Sequence, residues 1–206
     1  MPPRNPFITL IVTGVPGVGK TTVLAKVSEM LSSAGREYMV VNFGDYMLKE
    51  AMRNGWVSHR DEMRHLPLRR QLELQEMAAR SIREDAEKTL RGKAPLLVDT
   101  HAIIKTPTGY WPGLPENVVR ELRPDSIVLV EADPEAIYAR QVRDSATRRR
   151  SDIGGVEGIR SLMEVARQAA LSSATLVAAS VFIVVNEEGR PEEAAKRIVD
   201  LIDMLG

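Results

Sequence analysis

The sequence predicts an α/β fold, with a parallel sheet covered by helices on both faces. Three observations predict it. Five short β-rich runs are apolar on both faces, as strands buried from two sides must be. They alternate with stretches of helical character, the pattern of repeated βαβ units. A glycine-rich segment, GVPGVGKT, joins the first run to the first helix.

Taken in order, FITLIVT (7–13) is the first strand and Gly19 to Ala34 the first helix. YMVVNF (38–43) is the second strand, and Asp45, after Gly44 at its end, is placed to cap a following helix. Pro67 to Leu90 reads as a long amphipathic helix. Its pairs Arg69/Glu73, Glu76/Arg80 and Arg80/Glu84 lie four apart, which marks a solvated face rather than a site. PLLVDT (95–100), SIVLVEA (126–132) and VFIVVN (181–186) complete the strands. Pro134 and Pro191 open helices, where the fixed φ of proline suits the first turn. Val156 to Ala179 is a helix rich in Ala, Leu and Val, and turn-like sequence clusters at 106–115 and 144–155.

The chain has 206 residues, enough for one α/β domain over 1–206 with small inserted lids. A domain of this size buries roughly 70% of its unfolded surface and needs no staple. It has no cysteine, which excludes a disulfide framework and cysteine-ligated zinc and suits a reducing cytosol. No segment reaches the roughly 20 apolar residues of a membrane span, so no membrane partner is expected. Lys plus Arg and Asp plus Glu are both 28, and a net charge of zero argues against nucleic-acid binding through bulk charge. Arginine outnumbers lysine 21 to 7, a bias that fits heat, a GC-rich genome or phosphate binding equally.

GVPGVGKT matches G-x-x-x-x-G-K-[ST], the P-loop, residue for residue. An apolar strand ends at Thr13 and a helix starts near Gly19, which is the context the motif requires. The glycines let backbone N–H groups close round an anion, and the helix N-terminus adds positive potential. Lys20 should reach the β- and γ-phosphates, and Thr21 should ligate Mg²⁺. The Asn-Lys-x-Asp base reader of GTPases is absent, and DIGG at 152–155 follows an arginine run rather than a strand. Motors and transporters are usually larger, so a small kinase is the class that remains.

Three further clusters bear on the acceptor. Asp99 lies at the carboxyl end of a strand, the ligand-facing rim of an open α/β sheet. There it orients Mg²⁺ through water, deprotonates a hydroxyl acceptor, or only caps a turn. His101 is a substrate contact or a structural histidine, and Tyr110 and Trp111 stack on a base or pack a loop. Arg60 and Arg64, four apart, share one face if helical. They then suit a monoester phosphate, or else pair with Asp61 and Glu62. Five arginines fall within 140–150, namely Arg140, Arg143, Arg148, Arg149 and Arg150. They form a solvated basic patch or, with a P-loop elsewhere, a lid that closes over phosphates.

With these clusters in view, the chain resembles the archaeal-type adenylate kinases from about Phe7 to its C-terminus. GVPGVGKTT, NFGD, HRDEMR, EADP, RRRSD and NEEGRPEEAA carry the likeness, and DTHAIIKTPTGYWPGLP is its most specific segment. The resemblance implies a five-stranded parallel sheet, order 2-3-1-4-5 over the five runs above. It also implies an AMP-binding helical insertion at about 43–70, a short lid at about 143–154, and a homotrimer in the cytoplasm. It implies that Gly14, Val15, Pro16, Gly17, Val18, Gly19, Lys20, Thr21 and Thr22 hold the ATP phosphates, with Asn186 and Gly189 near the ATP adenine. It sets Asp45, Arg60, Arg64, His101 and, by position, Lys105 on the AMP side. Lys20, Arg140, Arg143, Arg148 and Arg150 become the catalytic cations, and Thr21 and Asp99 (through water) the Mg²⁺ ligands. The implied reaction is Mg-dependent transfer from ATP to AMP, giving two ADP. The residues alone leave two alternatives: a kinase for another nucleoside monophosphate or small metabolite, and a nucleotide-dependent RNA-associated protein.

Overall fold

The structure, a computed structural model, describes residues 4–106, 109–145 and 154–206, without the side chains of Arg64, Asp144 and Ser145. Arg148, Arg149 and Arg150, and most of the expected lid, lie outside the described residues. Five strands form one parallel sheet: β1 (Ile8–Thr13), β2 (Met39–Asn42), β3 (Pro95–Asp99), β6 (Ser126–Glu131) and β7 (Ser180–Val185). Their order is β2-β3-β1-β6-β7, the predicted 2-3-1-4-5 once a small hairpin is counted separately. That hairpin pairs β4 (Ile103–Thr106) with β5 (Gly109–Pro112), antiparallel and apart from the main sheet.

Successive side chains of a strand point to opposite faces, and the two cores follow from this. Ile8, Leu10 and Val12 of β1 face α1 (Lys20–Ser33) and α7 (Pro191–Leu205), where Val23, Val27, Leu31, Ile198 and Ile202 meet them. Ile11, Leu96, Val98 and Ile127 face the other way, onto α3 (Leu68–Thr89), α4 (Glu116–Leu122) and the second half of α6 (Gly155–Val177). All six residues of β1 are buried, as a central strand covered on both sides requires. The register sets Val12 and Asn42 on either side of Asp99, so three strand ends share one rim. Among the described residues no helix is long and apolar enough to cross a membrane.

Four local expectations change. First, residues 106–115 are not all turn, because they contain most of the hairpin. Its strands are four residues each, and Ala102 N donates to Thr13 Oγ1 at 2.6 Å to dock its base on β1. Second, Asp45 is not the cap of α2 (Phe43–Arg53). Asn42 is, its side chain accepting from the Asp45 amide at 3.2 Å, which leaves Asp45 in the first turn. Third, residues Arg60–His65 form a 3₁₀ helix, labelled η1. With three residues per turn, the one-face rule of α-helical four-residue spacing does not carry over to this backbone, and the side chain of Arg64 lies outside the described residues. Fourth, Glu73 pairs with Arg70 at 2.7 Å rather than with Arg69, while the Glu76/Arg80 pair forms at 3.2 Å.

Tyr46 of α2 donates to Asp85 Oδ2 of α3 at 3.1 Å. Burial first, and then that bond to a carboxylate, push its pKa up to about 12 from the ordinary 10.0. A raised pKa means the folded state holds the proton longer, so this contribution is whole below pH 10 and lost as pH rises towards 12. Titrating tyrosinate absorbance in the wild type against Tyr46→Phe should reveal one tyrosine ionising near pH 12. A difference spectrum with its midpoint at the ordinary value would contradict the buried bond.

Candidate active site

The site is built at the carboxyl ends of β1, β3 and β2, where the chain leaves the sheet. After Thr13 the loop Gly14–Gly19 turns back into α1, with Gly19 as its left-handed N-cap. Val15 and Val18 are buried in the core, which pins the loop to the sheet. Gly14 must be glycine because a Cβ there would come within 2.5 Å of the Val130 oxygen. Gly17 and Gly19 both have φ 89°, a region that costs other residues about 1–2 kcal/mol.

Lys20 is the first residue of α1 and only 8% exposed. Its ammonium pairs with Asp99 Oδ1, and Asn42 Nδ2 donates to the other Asp99 oxygen at 3.2 Å. A buried ammonium needs such a counter-charge. Thr21 and Thr22 are exposed in the first turn of α1. Thr21, Asn42, Asp45 and Asp99 line one cleft of about 370 Å³, with Leu24, Ala25, Ser28, Val40 and Val41 forming its remaining lining. Across from the loop, Arg60 NH1 donates to Asp45 Oδ1 at 2.6 Å, both side chains being exposed.

The expected arginines of the donor side divide. Arg140 of α5 (Pro134–Ser145) donates to Glu188 through Nε at 2.9 Å and through NH2. Its NH1 reaches the Val18 oxygen at 3.1 Å. Arg143 is exposed and 3.9 Å from the same glutamate. Hydrogen bonding from Arg140, helped by the charges of Arg140 and Arg143, holds the Glu188 carboxyl below its ordinary pKa. Asn186 is 4% exposed, and its side-chain amide donates to the Val18 oxygen at 2.8 Å. Gly189 is exposed with φ 74° in the turn before α7. His101 Nδ1 lies 3.0 Å from the Gly14 oxygen. A carbonyl only accepts, so this nitrogen carries the proton, and the ring supports the loop. Lys105 is exposed on β4 opposite Tyr110, on the hairpin that follows β3.

Several partners escaped the reading of the sequence. Asn42 and Glu188 hold expected residues in place. Gln141 donates to the Pro16 oxygen at 2.7 Å. Arg167 of α6 makes a two-pronged bond to Glu131 at 2.5 and 2.6 Å, which raises its pKa further. The available signal was proximity to a motif: Gln141 sits between two arginines already singled out, and Glu188 between Asn186 and Gly189.

A family model described as an AAA domain matches residues 13–160, from the end of β1 into α6. An adenylate kinase of Sulfurisphaera tokodaii is 50% identical over 92% of this chain and 96% of its own length. The chain belongs to the adenylate kinase family. Adenylate kinases of Methanopyrus kandleri (45% identical, 95% of this chain and 98% of the relative) and Pyrococcus furiosus (42%, 97% and 96%) extend the match. The archaeal sources accord with the likeness carried by DTHAIIKTPTGYWPGLP. Beyond the adenylate kinases, a shikimate kinase from Bacteroides thetaiotaomicron shares the fold. It has a TM-score of 0.52 at 17% identity, over 95% of this chain and 98% of that one.

Replacing Gly19 by alanine tests the loop geometry of this adenylate kinase family member. The new Cβ would fall on the Asn186 side-chain nitrogen and 3.3 Å from Arg140 NH1, in a left-handed backbone. ATP affinity should drop roughly five- to thirtyfold if binding needs the strained loop, given a backbone penalty of about 1–2 kcal/mol, with the circular dichroism spectrum unchanged. Wild-type affinity in Gly19→Ala would show that the loop is not held as described.

Proposed function

We propose that this protein is an ATP:AMP phosphotransferase, moving the terminal phosphoryl group of ATP to AMP and giving two ADP reversibly. One observation carries the reading. Thr21 and Asp99, beside the phosphate loop, line the same cleft as Asn42 and Asp45, where the acceptor side begins. Donor and acceptor machinery therefore face one space.

The chemistry needs few groups. A nucleoside monophosphate has its second pKa near 6, so at neutral pH its attacking oxygen is mostly ionised without a base. Asp99, with both carboxylate oxygens engaged by Lys20 and Asn42, is better suited to holding than to taking protons. The barrier is the approach of two anions in line. Lys20 and the N-terminus of α1 compensate charge on the donor, where Gly14 to Thr22 cradle the phosphates. Arg60 and Arg64 bind the AMP phosphate, with Asp45, His101 and Lys105 bordering that side. Arg140, Arg143, Arg148 and Arg150 close on the transferring group, the last two from a lid at about 143–154. The insertion at about 43–70 carries the acceptor. The groove between α5 and Glu188, lined by Ala136, Ala139 and Val142, suits the donor base near Gly189.

Mg²⁺ fits the donors present. Thr21 offers a hydroxyl to the shared cleft and Asp99 a carboxylate that would act through water, the hard oxygens that Mg²⁺ takes beside phosphates and waters. Among the described residues no group of three or more His, Asp or Glu forms a metal cage, so the ion would arrive with the nucleotide. When bound it neutralises charge on the phosphate oxygens. A homotrimer is also proposed. Ile183 and Val185 are exposed on the edge strand β7, and Leu171 and Leu176 on α6, which offers apolar surface for self-association. The lack of cysteine supports a cytoplasmic setting.

An acceptor panel of AMP, CMP, UMP, GMP and shikimate, followed by ADP formation, should give AMP the highest kcat/KM. Preference for any other acceptor would displace this reading. Lys20→Met should cut kcat by at least about two orders of magnitude while the protein stays folded. Arg60→Ala should raise the KM for AMP far more than that for ATP, and an equal rise in both would remove Arg60 from the acceptor side.

A further inference from the structure

The loop Gly14–Gly19 accounts for every one of its backbone carbonyls. The Gly14 oxygen accepts from His101 at 3.0 Å, and the Val15 oxygen from the Val18 amide at 3.3 Å. The Pro16 oxygen accepts from the side-chain amide of Gln141 at 2.7 Å. The Gly17 and Val18 oxygens face the Arg140 guanidinium at 3.4 and 3.1 Å, and Asn186 reaches Val18 as well. The Gly19 oxygen starts α1 by accepting from the Val23 amide at 3.1 Å. The amides of Gly17 and Gly19, by contrast, take no acceptor among the described residues.

A peptide unit is planar and trans, so its carbonyl and its N–H point in opposite directions. The Pro16 carbonyl and the Gly17 amide belong to one such unit, and the Val18 carbonyl and the Gly19 amide to another. Holding the carbonyl from outside the loop therefore aims the amide inwards. Glycine units are the ones that turn over most easily, since glycine populates both signs of φ. A turned-over unit would present a carbonyl oxygen to the phosphates. At the Val18 unit two side chains prevent this. At the Pro16 unit, among the described residues, Gln141 does so alone.

We propose that Gln141 is a positioning residue for the donor phosphates. It acts by locking the Pro16–Gly17 peptide so that the Gly17 N–H faces the nucleotide. Gln141 touches no reacting atom. Its stem is itself packed on the loop, for a Cβ added at Gly17 would lie 3.0 Å from Gln141 Cγ and 3.3 Å from Ile137 Cγ2. The proposal rests on the donor-phosphate part of the function above and on nothing about the acceptor.

Calorimetric titration of ATP and of AMP into the wild type, Gln141→Leu and Gln141→Glu tests it. Gln141→Leu keeps bulk and loses the donor. Its Kd for ATP should rise about tenfold, the upper range for one hydrogen bond, while its Kd for AMP stays within about twofold. KM for ATP should rise by the same factor, with kcat at saturating ATP changed by less than about twofold. Gln141→Glu faces the Pro16 carbonyl with a carboxylate at pH 8 and should lose at least as much. As pH falls towards about 4.3 its protonated acid can donate, and the gap to the wild type should narrow. A role in packing alone would not follow pH in this way. An unchanged ATP affinity in Gln141→Leu, an equal loss for ATP and AMP, or a pH-independent deficit in Gln141→Glu would each overturn the proposal. If Gln141→Leu does not fold, the near-isosteric Gln141→Glu still decides. A wild type that binds ATP but does not phosphorylate AMP would sink the acceptor reading and leave this one standing.

Discussion

The structure of the site depends on the charge of Lys20. An ammonium only 8% exposed must have a counter-ion within reach, and Asp99 is that ion. Leaving either member of such a pair alone costs about 3–5 kcal/mol. The pair can form only if β3 lies beside β1, with Val12 level with Asp99. Asn42 can brace the second Asp99 oxygen only if β2 lies on the far side of β3 in matching register. Strand order and register are thus what assemble the rim, and the hydrophobic faces of β1 and β3 secure both. A one-residue slip would turn Val12 and Leu97 out of their shared core and move Asp99 away from Lys20.

Cations suited to phosphate meanwhile hold acids. Arg140 rests on Glu188, Arg60 on Asp45, and Arg167 on Glu131. Arg60 and Asp45 are both well exposed, and an ion pair of that kind is worth little, so an incoming phosphate can displace Asp45; Arg140 is mostly buried and is held by the loop carbonyls as well as by Glu188. The depressed pKa of Glu188 means its pair with Arg140 holds above the ordinary carboxylate range and is lost as pH falls through the lowered value. The Glu131 pair differs in kind. That carboxylate is buried at the end of β6, and two short bonds tie α6 to the sheet beside the loop.

A second division runs between residues that meet the nucleotide and residues that shape what meets it. Val15 and Val18 fall inside the nine-residue motif yet are core residues. His101 and Asn186, expected near substrate, each donate to a loop carbonyl. The loop therefore depends on the hairpin base, α5 and the end of β7 at once. Its backbone can present amides to an anion because side chains from distant parts of the chain occupy its oxygens.

What the sequence determined by itself was local and contiguous. The phosphate loop is nine residues whose glycines, lysine and threonine act through their own backbone or their immediate neighbours. Strands buried on both faces announce themselves by unbroken apolar runs. For the same reason Lys20, Thr21 and the strand-end Asp99 could be singled out as candidate site residues. What only the tertiary structure decided was everything that needed two distant segments. The hairpin at 103–112 has strands too short for a periodic signal, and it exists because its base docks on Thr13. Residues 60–65 wind as 3₁₀ rather than α, although charge spacing alone suits either. Asn42 rather than Asp45 caps α2, since both carry a suitable oxygen and only the backbone angle at the strand end distinguishes them. Gln141 has no charge to draw attention and gains its partner only when α5 packs beside the loop. Pairings of this kind are set by the folded arrangement of whole elements, and no short stretch of residues contains both halves.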